Sequence, residues 1–261
     1  MGWELGGWAG VSYYFGDLNS NFDLKDPGPG LGVVARYNFN ERLCLKFSLN
    51  GGKVQASDIN STNTFEKKRN LSFQTLVGDI TTQFEFNFLP YVHGSKDEFF
   101  TPYLFSGLSV YNFNPKAEYN GELVELRPLG TEGQFKGEEY YATQLALAVG
   151  GGLKVDLSYR WSINVELSAR QLFSDYFDDV SGTYPDFDNL EALRGDLGPL
   201  AVALSDRSGE LGLDPPIGEE GRQRGNSKNN DRYVFLGVGL LYYFGDIRCP
   251  EFPDSTPGRR R

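Results

Sequence analysis

The sequence predicts an all-β fold: a closed, eight-stranded antiparallel transmembrane β-barrel with long outer loops and a short C-terminal tail. Three observations carry that prediction. Apolar residues recur at period two through eight stretches, and no run of eighteen apolar residues exists that would form a membrane-spanning helix. The connections alternate long and short from the first to the last, as outer-membrane barrels pair long outer loops with short periplasmic turns. Charged side chains fall on one face of the stretches and aromatic or aliphatic ones on the other. A charge facing lipid at mid-depth would cost roughly 2–4 kcal/mol, so this sorting is informative.

The first strand, Trp3–Phe15, sets Trp3, Leu5, Ala9, Val11, Tyr13 and Phe15 on one face and Glu4, Gly6, Trp8, Gly10 and Ser12 on the other. A Gly/Asp/Pro-rich loop over 16–30 follows. The second strand, Leu31–Phe39, turns tightly through Asn40–Arg42 into the third, Leu43–Lys53, and a polar loop runs on to Asn70. The fourth, Leu71–Leu89, reaches the fifth, Thr101–Phe113, by a short link through His93. Both faces of the fifth are mixed. A charged loop to about Glu138 leads to the sixth, Tyr140–Leu157, and the Ser158–Arg160 turn to the seventh, Trp161–Phe173. The longest insertion, 174–231, precedes the eighth strand, Tyr233–Phe244. There Val234, Leu236, Val238, Leu240, Tyr242 and Phe244 share the apolar face, and the glycines opposite suit a crowded interior. Pairing the first strand with the last leaves no sheet edge. The barrel is expected over 1–245 and a periplasmic tail over 246–261, with both chain ends on the periplasmic side.

The inward faces then carry Arg36, Lys46, Asp79, Glu85, Lys154, Asp156, Glu166 and Arg170, which read as a salt-bridged filler network. A transport path is not expected, because side chains fill a barrel of eight strands. In the long insertion, Asn189–Arg207 predicts one or two short helices broken around Gly195–Pro199, folding over the outer mouth as a cap or serving as a binding loop.

Composition narrows function. Thirty-two glycines, 20 Phe and 15 Tyr in 261 residues lean towards strand, and a net charge of −10 without a basic stripe excludes nucleic acid. A soluble lipocalin-like barrel has the same strand number but no outward aromatic band. Met1 is followed at once by strand, so export implies a precursor with a signal peptide. Cys44 and Cys249 both fall at the periplasmic side, where disulfides persist, and an intramolecular bond pinning the tail is expected. Two free thiols or a mixed disulfide with a partner are the alternatives. No His or Cys cluster accompanies either residue, so neither a metal nor a cofactor is expected.

Enzymatic readings are weak. The single histidine, His93, belongs to a periplasmic turn and reads as solvated, away from the outer rim where a Ser-His-Asp arrangement would be needed. Asp175, Asp178 and Asp179 offer oxygen ligands for Ca²⁺, yet without a dedicated loop they read as a solvated acidic cluster. Gly150–Gly152 precede no helix, so they give interior clearance or a bend and not a phosphate cradle. No small-molecule substrate is expected.

Several segments resemble the PorG-like outer-membrane barrels of the type IX secretion and gliding machinery of the Bacteroidetes. They are SYYFGDLN at Ser12–Asn19, YNFNERL at Tyr37–Leu43, PYLFSGLSVYNFNP at Pro102–Pro115 and ELSARQLFSDYFDDVSGTY at Glu166–Tyr184. ALSDRS at Ala203–Ser208 and RGNSKNNDRYVFLGVGLLYYFG at Arg224–Gly245 complete the set. The resemblance implies a non-enzymatic outer-membrane component of a Gram-negative bacterium that associates with a periplasmic ring of a PorK-like lipoprotein and a PorN-like partner. It supplies no catalytic positions. The turns and the tail face the periplasm, which makes His93, Lys96, Asp97, Pro250, Glu251 and Phe252 the expected partner contacts. The alternative is a surface barrel that binds a ligand through its outer loops.

Overall fold

The computed structural model describes residues 2–245. Its strands are β1 (Gly2–Phe15), β2 (Gly28–Asn38), β3 (Leu43–Ser57), β4 (Ser72–Asn87), β5 (Phe100–Asn112), β6 (Lys116–Tyr119), β7 (Glu122–Glu125), β8 (Thr143–Asp156), β9 (Trp161–Leu172) and β10 (Arg232–Tyr243). The eight long ones hydrogen-bond in the order β3-β2-β1-β10-β9-β8-β5-β4, and β3 also pairs with β4, which closes the barrel. Every stave is antiparallel to its neighbours, and the first and last meet from Glu4↔Tyr243 to Phe15↔Arg232. The β6–β7 hairpin joins β4 through one pair, Gln74↔Lys116. The segment after β5 is therefore more than a charged loop, and its Leu126 and Leu129 are buried.

Alternation sorts the side chains as the pleat requires. Leu236, Val238 and Leu240 of β10 are exposed on the outside, while Tyr233, Phe235 and Leu241 are buried inside. The fifth strand, whose faces are mixed in sequence, obeys the same rule: Tyr103, Phe105 and Tyr111 point inward and Leu104, Leu108 and Val110 outward. Aromatic pairs ring the turn end of the outward band, with Trp3–Tyr37 and Trp161–Tyr242 both at 5.1 Å and Tyr242–Phe244 at 4.8 Å. At the loop end the outward residues turn polar: Lys53 on β3, Asn112 on β5 hydrogen-bonded to Thr143 at 2.8 Å, and Gln171 opposite Arg232. β3 continues past that edge to Ser57 because Val54 and Ala56 still find buried inward sites beneath the loops.

The interior has two layers. Near the turns it is charged, and near the loops it is aromatic. Phe177, from the long insertion, enters the outer mouth and stacks on Phe113 at 5.0 Å and Tyr233 at 5.4 Å, with Tyr14 at 6.0 Å. The same insertion forms α2 (Phe187–Arg194) and α3 (Gly198–Ser205), separated at Gly195, whose φ of +56° ends the first helix. Asp186 caps α2 by accepting from the Asp188 N–H at 2.9 Å. Leu190, Ala201 and Leu204 bury the inner faces of both helices, so the insertion is a cap over the mouth. Glycine is demanded where rings fill the bore. A Cβ at Gly237 would lie 2.5 Å from the Trp8 ring, and one at Gly150 2.6 Å from Phe105.

Candidate functional site

The charged layer is balanced. Arg36, Lys46 and Lys154 face Glu4, Glu85 and Glu166. Arg36 Nη1 donates to Glu4 Oε2 at 2.9 Å, and its Nε stands 2.8 Å from Glu85 Oε2. Lys154 Nζ donates to Glu85 Oε2 at 2.6 Å and to Asn87 Oδ1 at 2.9 Å, and Lys46 bonds Glu166. Tyr103 Oη donates to Glu166 at 2.6 Å. Nearer the loops, Arg170 pairs with Asp79 at 3.2 Å, and Tyr233 Oη donates to the same carboxylate at 2.9 Å. All of these charges but the partly exposed Glu166 are desolvated, so each must be answered by an opposite one. Glu4, Tyr103 and Trp8 belong to this filling as well. Their inward parity was visible in sequence for Glu4 and Trp8, but the mixed faces of β5 hid Tyr103. What remains between Trp8, Arg36, Lys46, Glu166 and Arg170 is a cavity of ≈ 30 Å³, room for about one water.

Asp156 lies at the turn end of this layer and seals it together with His93. The expectation of a solvated His93 is wrong. It is 7% exposed, stacked on Tyr243 at 4.1 Å, with Nδ1 2.9 Å from Asp156 Oδ1 and Nε2 3.2 Å from Glu4 Oε1. The link from 88 to 99 folds inward because Tyr91 and the Gly94 N–H also bond Asp156. His93 is therefore no surface contact. Burial opposes its charge, but the bonds and fields of Asp156 and Glu4 prevail and lift its pKa to about 9. A raised histidine stabilises fully below its ordinary 6.5, and that contribution is lost as pH climbs towards 9. In urea unfolding in lipid vesicles, His93 should account for about 3 kcal/mol of the stability lost across that window, and His93→Gln should make the slope shallower by that share. An unchanged slope in the variant would refute the assignment.

Lys96 and Asp97 are exposed on the same link. Around them Phe99, Leu157 and Tyr159 present apolar surface beside a hollow of ≈ 280 Å³. Pro250, Glu251, Phe252 and Cys249 lie outside the described residues. Cys44 is a free, buried thiol whose Sγ donates to Asn38 Oδ1 at 2.9 Å, with Lys154 Nζ 3.7 Å away. The expected Cys44–Cys249 bond lies outside the described residues, and Cys44 fills space within the charged layer.

At the loop end the acidic residues are not solvated either. Asp175, Asp178 and Asp179 are all at least 94% buried, because the segment carrying them follows Phe177 into the mouth. Asp178 and Asp231 both contact Tyr14 Oη, at 2.6 and 2.5 Å. Asp179 accepts from Thr131 at 2.6 Å and Tyr140 at 2.7 Å. Among the described residues, no cluster of three or more acidic, His or Cys side chains is arranged to hold a metal. The spacing of these aspartates gave no sign of burial; the aromatic residue between them, Phe177, was the available clue.

No curated protein matches the chain. Similar solved structures include Neisserial surface protein A, at 11% identity and TM-score 0.46 over 94% of this chain and 98% of that one. Outer membrane protein OprG from Pseudomonas aeruginosa is similar at 13% identity and TM-score 0.45, over 94% and 96%. Ail, the attachment invasion locus protein of Yersinia pestis, is similar at 11% and 0.43, over 94% and 100%. Closure of the barrel rests on its own strand ladder and not on these likenesses. The family model described as "Domain of unknown function (DUF6089)" matches residues 2–199, which takes in seven of the eight staves, and the chain belongs to that family.

Proposed function

We propose that this protein is a non-conducting outer-membrane barrel that anchors a periplasmic ring of the type IX secretion system, a PorK-like lipoprotein with a PorN-like partner, through its turn end. The observation that carries the reading is the sealed bore. With ≈ 30 Å³ left between balanced charges, nothing passes through the barrel, so its work is done at its ends. The outward apolar band with its aromatic edge supports a place in the outer membrane. The turn end supports a docking role, since Phe99, Leu157 and Tyr159 stand exposed beside Lys96. The type IX assignment draws on the sequence segments that resemble PorG-like barrels.

Cross-linking mass spectrometry on native outer membranes tests it. Links from Lys96 to a periplasmic lipoprotein are expected, and Tyr159→Glu should reduce them without releasing the barrel from the membrane. Links confined to 174–231 and surface proteins would replace the anchor with the loop-binding reading.

A further inference from the structure

Beside the cap, the loop after β1, the helix α1 (Thr64–Arg69) and the segment before β10 enclose an open cleft of ≈ 590 Å³. That is the size of a small-molecule site, about 300–1,000 Å³. The side chains of its floor are already engaged. Arg69 pairs with Asp58 at 2.7 Å and donates to the Asp17 carbonyl at 2.9 Å, Glu66 accepts from Ser20 at 2.9 Å, and Arg224 pairs with Glu132 at 3.0 Å.

The rim differs. The side chains of Gln223 and Asn229 make no hydrogen bond among the described residues, and neither does Asn226 Nδ2. Each free amide offers donor and acceptor capacity side by side. Phe22 stands at the same rim, 60% exposed, in the left-handed region at φ +54°. That backbone is an outlier for a bulky residue and persists only where surroundings impose it. Phe15 holds the ring at 5.2 Å, and the Arg232 guanidinium lies 5.6 Å from its centroid.

An open aromatic face among uncommitted amides suits a ligand with an apolar C–H face and a border of hydroxyls, a saccharide. A strongly anionic ligand fits poorly, since Arg232 is the cation at the rim and the Asp17 carboxylate lies within the cleft. A peptide strand would need an open sheet edge; at the cleft the end of β1, Tyr13–Phe15, pairs with β10, and the Tyr14 carbonyl already accepts from Asn19 Nδ2 at 2.7 Å. Height then selects the source. Arg232 sits on the outward face of β10, opposite Gln171 and Phe15, where the apolar band of Val234, Leu236 and Val238 ends. The cleft therefore opens at the level of outer-leaflet head groups. We propose that it binds the sugar head group of an outer-leaflet glycolipid. The inference rests on the outer-membrane placement and not on the ring, which enters no step of its test.

The test uses the full chain in nanodiscs of phosphatidylethanolamine with or without lipopolysaccharide from the producing cells. Native mass spectrometry counts retained glycolipid, and calorimetry measures binding of the oligosaccharide released from it by mild acid. Retention of lipopolysaccharide and binding of the released oligosaccharide are expected. Phe22→Ala and Asn229→Ala should each weaken the latter roughly three- to tenfold, while Phe22→Tyr keeps it. Equal retention of the lipid stripped of its sugar, binding unaltered in both alanine variants, or no binding at all would overturn the proposal. Preference for free maltoheptaose over the glycolipid would overturn the assigned source.

Discussion

Glu85→Gln is expected to destabilise the barrel by about 3–5 kcal/mol, the cost of leaving buried charge unanswered. Three cations converge on this one carboxylate: Arg36 at 2.8 Å, Lys154 at 2.6 Å and Lys46 at 3.6 Å. Removing its charge leaves Arg36, Lys46 and Lys154 opposite only Glu4 and Glu166. The adjoining cavity has room for only about one water molecule to compensate. The loss should be largely recovered by adding Lys154→Met, which removes one cation and keeps the volume of the chain. Replacing both partners of a buried pair is often neutral where breaking it is not. Urea unfolding in vesicles, read by tryptophan fluorescence, compares Glu85→Gln, Lys154→Met and the double variant as a double-mutant cycle. Additive losses in the double variant would mean that the charges are solvated separately, and the network would not exist as a unit. The effect bears on function through the bore, since the same network that stabilises the staves also closes them to solutes.

How much of this was legible beforehand follows from what each signal depends on. Strand alternation is local and steep where one face meets a non-polar surround, so β1 and β10 were readable to within a residue or two. Inward polarity was readable for Arg36, Lys46, Glu85 and Arg170 by the same parity. β5 was not, because its inward face carries Tyr103, Phe105 and Tyr111, as apolar as the outside. A barrel filled partly by aromatic rings blurs the contrast on which the reading relies. His93 and Asp178 failed for a different reason. Both lie in connections, and a polar residue in a connection looks solvated until the chain is seen to turn back into the mouth. His93 is drawn in by Glu4 and Asp156, remote in sequence, and Asp178 by Tyr14. The helices of the cap were readable because the break at Gly195 is local, and Pro199 falls in the first turn of α3.

Alkaline pH is expected to loosen the outer cap while the staves stay paired. The geometry counts protons. Tyr14 has one hydroxyl hydrogen, yet its oxygen lies 2.6 Å from Asp178 Oδ2 and 2.5 Å from Asp231 Oδ1. One of the two carboxyls must bring a proton of its own to make the second contact a hydrogen bond. Burial and mutual repulsion supply the reason. Both are fully enclosed, both have pKa values raised above the usual carboxylate range, and Asp17 adds to the repulsion. Asp175 beside them is pushed up to about 9 by burial and then by Asp231 and Asp17. The nearby cations are committed elsewhere, Arg69 to Asp58 and Arg224 to Glu132. For an acid whose pKa is raised on folding, the folded state holds more protons between the ordinary 3.8 and the shifted value, so stability falls as pH rises through that window. At about 1.4 kcal/mol for each pH unit of that window, the loss reaches several kcal/mol by pH 9. The cap should therefore resist limited proteolysis within 174–231 at pH 6 and be cut at pH 9. Asp178→Asn should be cut more slowly than the wild type at pH 9, because an amide can donate to Tyr14 while its Oδ1 keeps the 2.9 Å bond from the Val180 N–H, and the share of the loss that comes from Asp175 stays. Tyr14→Phe leaves two buried carboxyls without their shared partner and should cost about 1–3 kcal/mol at any pH. Equal protection of the wild type at both pH values would show that no proton is held there, and the cap would owe its closure to Phe177 and the helices alone.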